Sequence, residues 1–245
     1  MENVKIDEGS IKKLYKKRAI EKVAIDVDAP VVLCADKDKD NIEKWNKFEI
    51  EHRLPFLKLD KNSTVLELGC GTGRISKFIT PFVGSYVGID YVEEFINLIK
   101  TREDIYIGEN TYFLNASLGD IVDKDYLLPV ENKFNRFIIS GGVLMYINDQ
   151  ELKSNIQKLV ELFDDNCIVY ISEPVAIKER LTLNKFYSDN LESEYSAIYR
   201  TLDEYNEILK PLYERGFKLK VNEEFFYDDI KLQKETRQWI FVLER

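Results

Sequence analysis

The chain has 245 residues, of which 44% are hydrophobic and 32% are charged, and its formal net charge is −9. This composition is typical of a folded globular protein and disfavours disorder, and the length suits one α/β domain with a substantial core. The negative charge removes the usual electrostatic attraction to phosphate backbones, so we expect neither nucleic acid nor an anionic membrane as partner.

The three cysteines lie far apart and form no CxxC pair, so the sequence predicts no structural metal site. Their odd number argues against a disulfide framework and fits a reducing cytosol, and we therefore expect a cytoplasmic protein. Residues 137–147 form the longest apolar stretch, which is interrupted and too short to span a bilayer. The cysteines are Cys34, Cys70 and Cys167.

Residues 1–59 show no strand pattern and predict a helical cap of two segments. A loop is expected around 28–40, where Pro30 precedes a run of alternating charges. Side chains at helical spacing share one face in each segment: Ile11, Leu14, Tyr15 and Arg18 in the first, and Trp45, Phe48 and His52 in the second.

From residue 60 onward, short apolar runs alternate with amphipathic stretches. Strands that alternate with helices pair in parallel through right-handed crossovers, which predicts a doubly wound α/β sheet covered on both faces. The predicted strands are 64–68, 85–89, 111–114, 136–140 and 167–172, and the predicted helices are 74–80, 92–100 and 149–163.

The end of the chain breaks this rhythm. A helix near 202–215 is followed by strands at 217–226 and 239–243, whose connection shows no crossover helix and therefore predicts a C-terminal antiparallel hairpin. Residues 174–205 are long for a connection and predict a lid or binding element inside the 60–245 core. The whole chain, 1–245, is expected to be one domain.

The segment Glu67–Arg74 (ELGCGTGR) lies between a predicted strand and a predicted helix. Its glycines let a ligand approach the main chain closely, although a plain tight turn would also use them. Asp90 ends the next strand about twenty residues later, where an acid can accept hydrogen bonds from a ribose diol. The combination predicts a site for a nucleotide-like ligand.

The glycine spacing is G-x-G-x-G rather than the G-x-G-x-x-G of dinucleotide sites. VLELGCGTGR closely resembles the first motif of class I S-adenosylmethionine-dependent methyltransferases, and the resemblance covers about residues 60–245. The resemblance implies a Rossmann-like, seven-stranded sheet whose last strand is antiparallel, and S-adenosylmethionine as cofactor.

The resemblance also implies roles for individual residues. Asp90 would bind the ribose hydroxyls, and Glu67 would support the methionine part of the cofactor indirectly. Asn115 stands where the family often has Asp, and its amide still offers an acceptor toward the adenine. Packing or capping is the alternative for two of the others, Tyr91 and Ser117. The remaining implied cofactor residues are Gly69, Cys70, Gly71, Ala116 and Ser140, with Arg18 as a candidate for the cofactor carboxylate or, alternatively, part of a solvated basic face.

Three residues are candidates for the catalytic step, which needs a base only if the acceptor is a hydroxyl. Tyr146 follows the fourth strand, in a loop that borders the methyl-transfer pocket in this fold, with Met145 beside it. Glu173 ends the fifth strand and could orient the acceptor or act as base, or could instead cap the turn that follows it. His52 is the one histidine, for which a structural or surface role is favoured.

Substrate contacts are predicted mainly from the 174–205 segment. Tyr195, Tyr199 and Arg200 fall at helical spacing and could cover a pocket. Arg180 and Arg200 could bind a carboxylate or phosphate, or could simply pair with nearby acids. Met145 and Tyr146 complete the predicted substrate set, with packing at a helix start as their alternative.

The sequence lacks the Pro-Pro-aromatic signature of DNA amino methyltransferases, because the matching position reads Ser140–Val143. We therefore predict methyl transfer to an oxygen or nitrogen of a small molecule, such as a metabolite or sugar derivative that could be anionic. A protein or peptide acceptor, a nicotinamide oxidoreductase and a cofactor-binding module without catalysis are the alternatives. The sequence does not decide the oligomeric state.

Overall fold

The computed structural model describes residues 3–23, 39–130, 133–188, 193–226 and 235–245. The loop expected around 28–40, Cys34, and most of the connection between the last two strands lie outside the described residues. Within the described ranges, the helical cap is present, and its second helix begins at Lys39. The cap comprises α1 (Glu8–Val23), α2 (Lys39–Phe48), a π-helical segment (Glu49–Arg53) and a 3-10 turn (Leu54–Leu57).

The core is a seven-stranded sheet of β1 (Thr64–Leu68), β2 (Ser85–Asp90), β3 (Thr111–Asn115), β4 (Phe134–Ile139), β5 (Phe163–Ala176), β8 (Lys218–Glu224) and β9 (Thr236–Glu244). The strands lie in the order β3-β2-β1-β4-β5-β9-β8. The five strands from β3 to β5 are parallel, whereas β9 is antiparallel to both β5 and β8. This confirms the predicted doubly wound sheet with its C-terminal antiparallel hairpin.

Successive side chains of a strand point alternately into two apolar layers, one on each face of the sheet. In β1, Val65 enters one layer, and Leu66 and Leu68 enter the other. This is the period-two pattern of a strand with both faces covered. The helices of the core are α3 (Ser76–Ile79), α4 (Glu93–Ile99), α5 (Leu118–Ile121), α6 (Asp149–Leu159) and α7 (Leu202–Glu214).

The segment after the fifth strand differs from the sequence-based expectation. β5 runs on to Ala176, and the chain then forms a two-stranded antiparallel hairpin of β6 (Leu181–Ser188) and β7 (Ser193–Tyr199). The helical conformation expected for Tyr195, Tyr199 and Arg200 is therefore wrong, because the two tyrosines lie on a strand. In a strand, Tyr195 and Tyr199 still share a face because they are four residues apart, whereas Arg200 follows the end of the strand.

Two predicted helices are shorter in the structure by three or more residues. The helix expected over 149–163 ends at Leu159, because Val160–Leu162 tighten into a 3-10 turn and Phe163 already begins β5. The helix expected over 74–80 is reduced to α3, since its first residues form the turn that follows the glycine loop. End turns of this kind are a common source of shifted helix boundaries.

A buried arginine fixes the cap to the last strands. Arg53 is fully buried and donates to the carbonyl oxygens of Phe225 (2.7 Å) and Glu224 (3.0 Å) and to Glu223 Oε1 (2.6 Å). Because a buried guanidinium needs its donors satisfied, this set joins residues 170 positions apart.

Candidate active site

A cavity of about 280 Å³ opens at the carboxyl ends of β1, β2 and β3. Ligands of doubly wound sheets bind at this edge, where neighbouring loops diverge. Six of the residues singled out in the sequence line the cavity: Gly69, Asp90, Tyr91, Ala116, Ser117 and Tyr146. The other lining residues are Glu8, Gly9, Lys12, Leu68, Leu118, Gly119, Val143, Ile147 and Glu151.

The glycine loop brings backbone to the cavity wall. Gly69 has φ +72°, and its N–H donates to the carbonyl of Ile89 (2.8 Å) in the neighbouring strand. A Cβ on this residue would overlap the Val143 side chain from the loop after β4. Glycine is therefore required here both for the left-handed backbone and for the close approach of Val143.

Asp90 is held by two backbone amides. Its Oδ2 accepts from the N–H of Gly71 (3.0 Å), and its Oδ1 accepts from the N–H of Val92 (2.8 Å). Burial raises the pKa of Asp90 to about 6, opposed by these two hydrogen bonds and by the charge of Lys12. Each carboxylate oxygen keeps a lone pair with which it can accept a hydrogen bond from a ligand.

Tyr91 and Lys12 form one side of the cavity. The Lys12 ammonium lies 5.7 Å from the centre of the Tyr91 ring, within cation–π range. The Tyr91 hydroxyl is buried and has no hydrogen-bond partner within the described part of the chain. Burial also raises the pKa of this phenol. A buried hydroxyl left in this state is a group that a bound polar ligand can satisfy.

Asn115 ends β3 and does not line the cavity, whereas Ala116 and Ser117, which follow it, do. Asn115 Nδ2 donates to the carbonyl of Asp90 (3.0 Å), and the N–H of Ala116 donates to the same oxygen (3.1 Å). Ser117 is the N-cap of α5, where its hydroxyl and Asp120 form a capping box. Ser117 therefore has the capping role that the sequence offered as an alternative, and it also lines the cavity.

Glu67 and Cys70 lie behind the loop rather than on the cavity wall. Glu67 Oε2 accepts hydrogen bonds from Ser76 (3.1 Å) and from the Tyr86 hydroxyl, and burial raises the pKa of Glu67 to about 7. Cys70 is buried in the apolar layer, and burial raises the pKa of its thiol. Glu67 can therefore act on a ligand only through the loop that it supports.

Ser140 directly follows β4 and belongs to a polar network that reaches the cap. Its hydroxyl donates to Glu49 Oε1 (2.5 Å) and accepts from Arg74 (2.9 Å). Glu49 Oε2 also accepts from Arg74 (2.8 Å), and Glu49 Oε1 accepts from Tyr170 (3.0 Å). The network ties the π-helical segment of the cap to the residue that follows the glycine loop.

Tyr146 lies in a row of four phenols. Its hydroxyl oxygen is 2.6 Å from that of Tyr15 on α1 and 3.1 Å from that of Tyr195 on β7, which is 3.2 Å from that of Tyr199. The rings of Tyr15 and Tyr195 both meet the Tyr146 ring edge-on. The tertiary structure thus brings Tyr146, beside buried Met145, to the two tyrosines of β7, of which Tyr195 lies 49 residues later in the sequence.

Glu173 supports the turn that carries Tyr146. It is fully buried, and its carboxylate accepts hydrogen bonds from the N–H groups of Val143 (2.6 Å), Leu144 (2.8 Å) and Met145 (3.3 Å). Burial raises the pKa of Glu173 to about 7, opposed by these hydrogen bonds and by the charge of Arg200. Glu173 does not line the cavity, and it caps the turn after β4 rather than the turn that follows β5.

Helix α1 covers the cavity with Glu8, Gly9 and Lys12. Asn148 holds the start of this helix by hydrogen bonds. Its side chain accepts from the N–H of Ile6 (2.9 Å) and donates to the carbonyl of the same residue (3.0 Å), and its backbone N–H donates to Glu8 (2.9 Å). These lining residues lie off the apolar face of α1 that the sequence pattern predicts as buried, and the one-turn spacing of residues 8 and 12 is the signal that could have identified them.

Four further predicted residues also do not line the cavity. His52 is exposed, and its ring lies 4.9 Å from that of Phe48. Arg18 is buried on α1 but does not line the cavity. Arg180 pairs with Asp149 (2.8 Å) and Glu204 (2.7 Å), as the ion-pairing alternative proposes. The fourth, Arg200, also pairs with Asp149 (2.8 Å).

Among the described residues, none of the helices combines the length and the apolar composition of a membrane span. In the same ranges, no cluster of three or more histidine, cysteine or acidic side chains could hold a metal ion. Cys70 and Cys167 are both buried free thiols.

The family described as a methyltransferase domain matches residues 59–236, well over half of the chain. The chain belongs to this family. Phosphoethanolamine N-methyltransferase 3 of Arabidopsis thaliana is 28% identical over 157 residues, which are 63% of this chain and 29% of that protein. This methyltransferase-family chain thus spans less than a third of the length of that curated relative.

Solved structures share the fold of this family member. The Haemonchus contortus phosphoethanolamine N-methyltransferase 1, in complex with phosphoethanolamine and S-adenosylhomocysteine, matches with a TM-score of 0.67 at 14% identity, over 97% of this chain and 48% of that chain. The Burkholderia thailandensis 1,6-didemethyltoxoflavin-N1-methyltransferase matches with a TM-score of 0.64 at 13% identity, over 100% and 93% of the two chains.

Proposed function

We propose that this protein is an S-adenosylmethionine-dependent methyltransferase that methylates an oxygen or nitrogen of a small molecule. The observation that carries the proposal is the joint placement of the Gly69 loop, the Asp90 carboxylate and Tyr146 on one cavity. Membership of the methyltransferase-domain family supports it. The buried free thiols suit a reducing compartment, and we place the activity in the cytoplasm.

The residues present fit an adenosyl ligand. Asp90 offers carboxylate lone pairs to a ribose diol, and the buried Tyr91 hydroxyl needs a polar partner. Asn115–Ser117 would face the adenine, and the backbone of Gly69–Gly71 would face the methionine part. S-adenosylmethionine supplies an electrophilic methyl group on a sulfonium when bound.

The protein's contribution would be alignment. An acceptor nitrogen or oxygen must meet the methyl carbon in line with the carbon–sulfur bond, and holding that geometry accounts for much of the rate in such reactions. Tyr146 is the side chain that both lines the cavity and joins the row of phenols. We propose that its hydroxyl orients the acceptor and, for a hydroxyl acceptor, takes part in removing the proton.

Enclosure favours a small acceptor over a protein. α1 lies across the cavity and is held by the hydrogen bonds of Asn148. A folded protein would therefore have to displace this helix to reach the cavity. Phosphoethanolamine is a rational first probe, because the relatives are named for it. The phenol hydroxyls of Tyr15, Tyr146 and Tyr195 are donors suited to an anionic or hydroxyl-bearing acceptor.

Calorimetric titration with S-adenosylmethionine, S-adenosylhomocysteine and NAD(H) tests the cofactor. We expect both adenosyl ligands to bind and NAD(H) not to bind. Asp90→Ala should weaken adenosyl binding at least tenfold, because two hydrogen bonds to a charged group are lost. Asp165→Ala is the control, since that carboxylate is almost fully exposed. Binding of NAD(H) alone would overturn the proposal in favour of an oxidoreductase.

An acceptor screen tests the reaction. Radiolabelled methyl donor is incubated with phosphoethanolamine, amino sugars, nucleotide sugars and unstructured peptides. Methyl transfer to one small-molecule class supports the proposal, whereas transfer to peptides alone contradicts the small-acceptor part. Tight cofactor binding without transfer to any acceptor would favour a binding module that has no catalytic activity.

A further inference from the structure

We infer that Glu173 and Arg200 form a clamp that sets the position of the Val143–Ile147 turn, and with it the Tyr146 hydroxyl, for methyl transfer. This inference rests on the proposed function. Neither side chain lines the cavity, so both are positioning residues rather than catalytic ones. The two are fully buried, and they hold opposite ends of the same turn.

The amino end of the turn is held by a carboxylate. The first backbone amides of a helical turn lack partners inside it, and here the N–H groups of Val143, Leu144 and Met145 all point at the Glu173 carboxylate. Glu173 is itself held by the Tyr205 hydroxyl on α7 (3.3 Å). The turn therefore begins at a fixed point on β5.

The carboxyl end of the same turn is held by a guanidinium. Arg200 Nη1 donates to the carbonyl of Leu144 (2.7 Å), and Nη2 donates to that of Ile147 (2.6 Å). Its Nε donates to Asp149 Oδ1 (2.9 Å), which fixes the plane of the fork. Cations suit this end of a helical turn as anions suit the other.

The clamp controls three cavity residues at once. Val143, Tyr146 and Ile147 all lie on the turn and line the cavity. Val143 also packs against Gly69, so a shift of the turn moves the glycine loop as well. Gly142, immediately before the turn, has no room for a side chain, since a Cβ there would lie 3.0 Å from Met145 Sδ and from Pro174 Cδ. The turn is thus seated against β5 by packing and by hydrogen bonds.

The test uses Arg200→Lys and Glu173→Gln, with Arg53→Lys as the matched control. Lysine cannot reproduce a planar fork that reaches two carbonyls and a carboxylate. Arg53 is equally buried and also reaches two carbonyls and a carboxylate, but it lies against β8 and not against the turn. The measurements are melting temperature, amide hydrogen exchange of residues 143–147, and calorimetric affinity for S-adenosylhomocysteine.

We expect Arg200→Lys and Glu173→Gln each to speed exchange at the turn and to weaken S-adenosylhomocysteine binding by about tenfold, as loss of one or two buried hydrogen bonds predicts. The double variant should lose less than the product of the two, because both act through one turn. Arg53→Lys should lower the melting temperature but leave affinity within about twofold.

Two results would overturn the clamp. One is unchanged exchange and affinity in both turn variants; the other is an equal loss of affinity in Arg53→Lys, which would reveal a general effect of stability. Failure of the wild-type protein to bind S-adenosylhomocysteine would instead reject the proposed function, while the exchange measurement would still decide whether the two residues hold the turn.

Discussion

Val143 occupies the space where a side chain at Gly69 would begin. The contact joins the loop after β4 to the loop after β1, at the wall of the cavity. The loop after β1 can therefore keep its backbone conformation only if the Val143 side chain has room beside Gly69.

Gly69→Ala is expected to reduce S-adenosylhomocysteine affinity at least tenfold, because the new methyl group displaces Val143 from the cavity wall. Gly216→Ala is the matched control: Gly216 has φ +89°, and a Cβ there meets nothing within 4 Å. Both variants should lose about 1 kcal/mol of folding free energy from the left-handed backbone. Calorimetry and chemical denaturation separate the two effects, and equal affinity in both variants would contradict the role of Val143.

Affinity for S-adenosylhomocysteine is expected to fall below about pH 6. The ionised form of Asp90 accepts the ribose hydrogen bonds, and its pKa is raised to about 6, so protonation below that value competes with binding. The loss should approach about tenfold per pH unit. Titrations between pH 5 and pH 8 measure it, and Asp90→Asn should bind weakly with a flat profile. If the affinity of the wild type were as independent of pH as that of the variant, Asp90 would not be a binding residue.

The same raised pKa has a consequence for folding. An acid whose pKa is higher in the folded state stabilises the fold at low pH, and this contribution is lost as the pH rises through about 6. The stability of Asp90→Asn relative to the wild type should therefore increase between pH 4 and pH 7. Denaturant unfolding at a series of pH values measures the difference, and a constant difference would show that the carboxyl is not buried as described.

Tyr146→Phe is expected to lower kcat at least tenfold with the best acceptor of the screen, because it removes the hydroxyl at the centre of the phenol row. Affinity for S-adenosylhomocysteine should stay within about twofold, since the ring remains. Tyr213→Phe serves as the control, because that hydroxyl contacts only Asn206 (3.4 Å) within the described residues. Equal turnover in the two variants would exclude a role for the hydroxyl.

Asn148→Ala is expected to loosen α1 over the cavity, because it removes the side-chain hydrogen bonds to Ile6 and Glu8. Hydrogen exchange in α1 should rise, and the dissociation rate of S-adenosylhomocysteine should rise with it. Glu94→Gln, which removes the charge from the surface ion pair with Lys16, should change neither by much. Faster hydrogen exchange in α1 without faster dissociation of S-adenosylhomocysteine would show that the helix does not retain the ligand.

The sequence by itself determined the fold and the side of the sheet where the site lies. The strand–helix alternation and the polar link before β9 predicted the sheet and its antiparallel hairpin, because these are local patterns with a fixed period. The glycine loop and Asp90 were also readable, since both stand at strand ends where a ligand meets the backbone. The hairpin of residues 181–199 was not, because four residues along a strand and four along a helix both place tyrosines on one face.

Only the tertiary structure decided what the long-range contacts do. Tyr15, Tyr146 and Tyr195 meet from three separate elements, and Glu173 and Arg200 converge on one turn from β5 and the end of β7. No local pattern distinguishes a buried arginine that caps a turn from one that binds a substrate phosphate. The difference depends on which carbonyl and carboxylate oxygens surround the guanidinium, and chain packing alone places those oxygens.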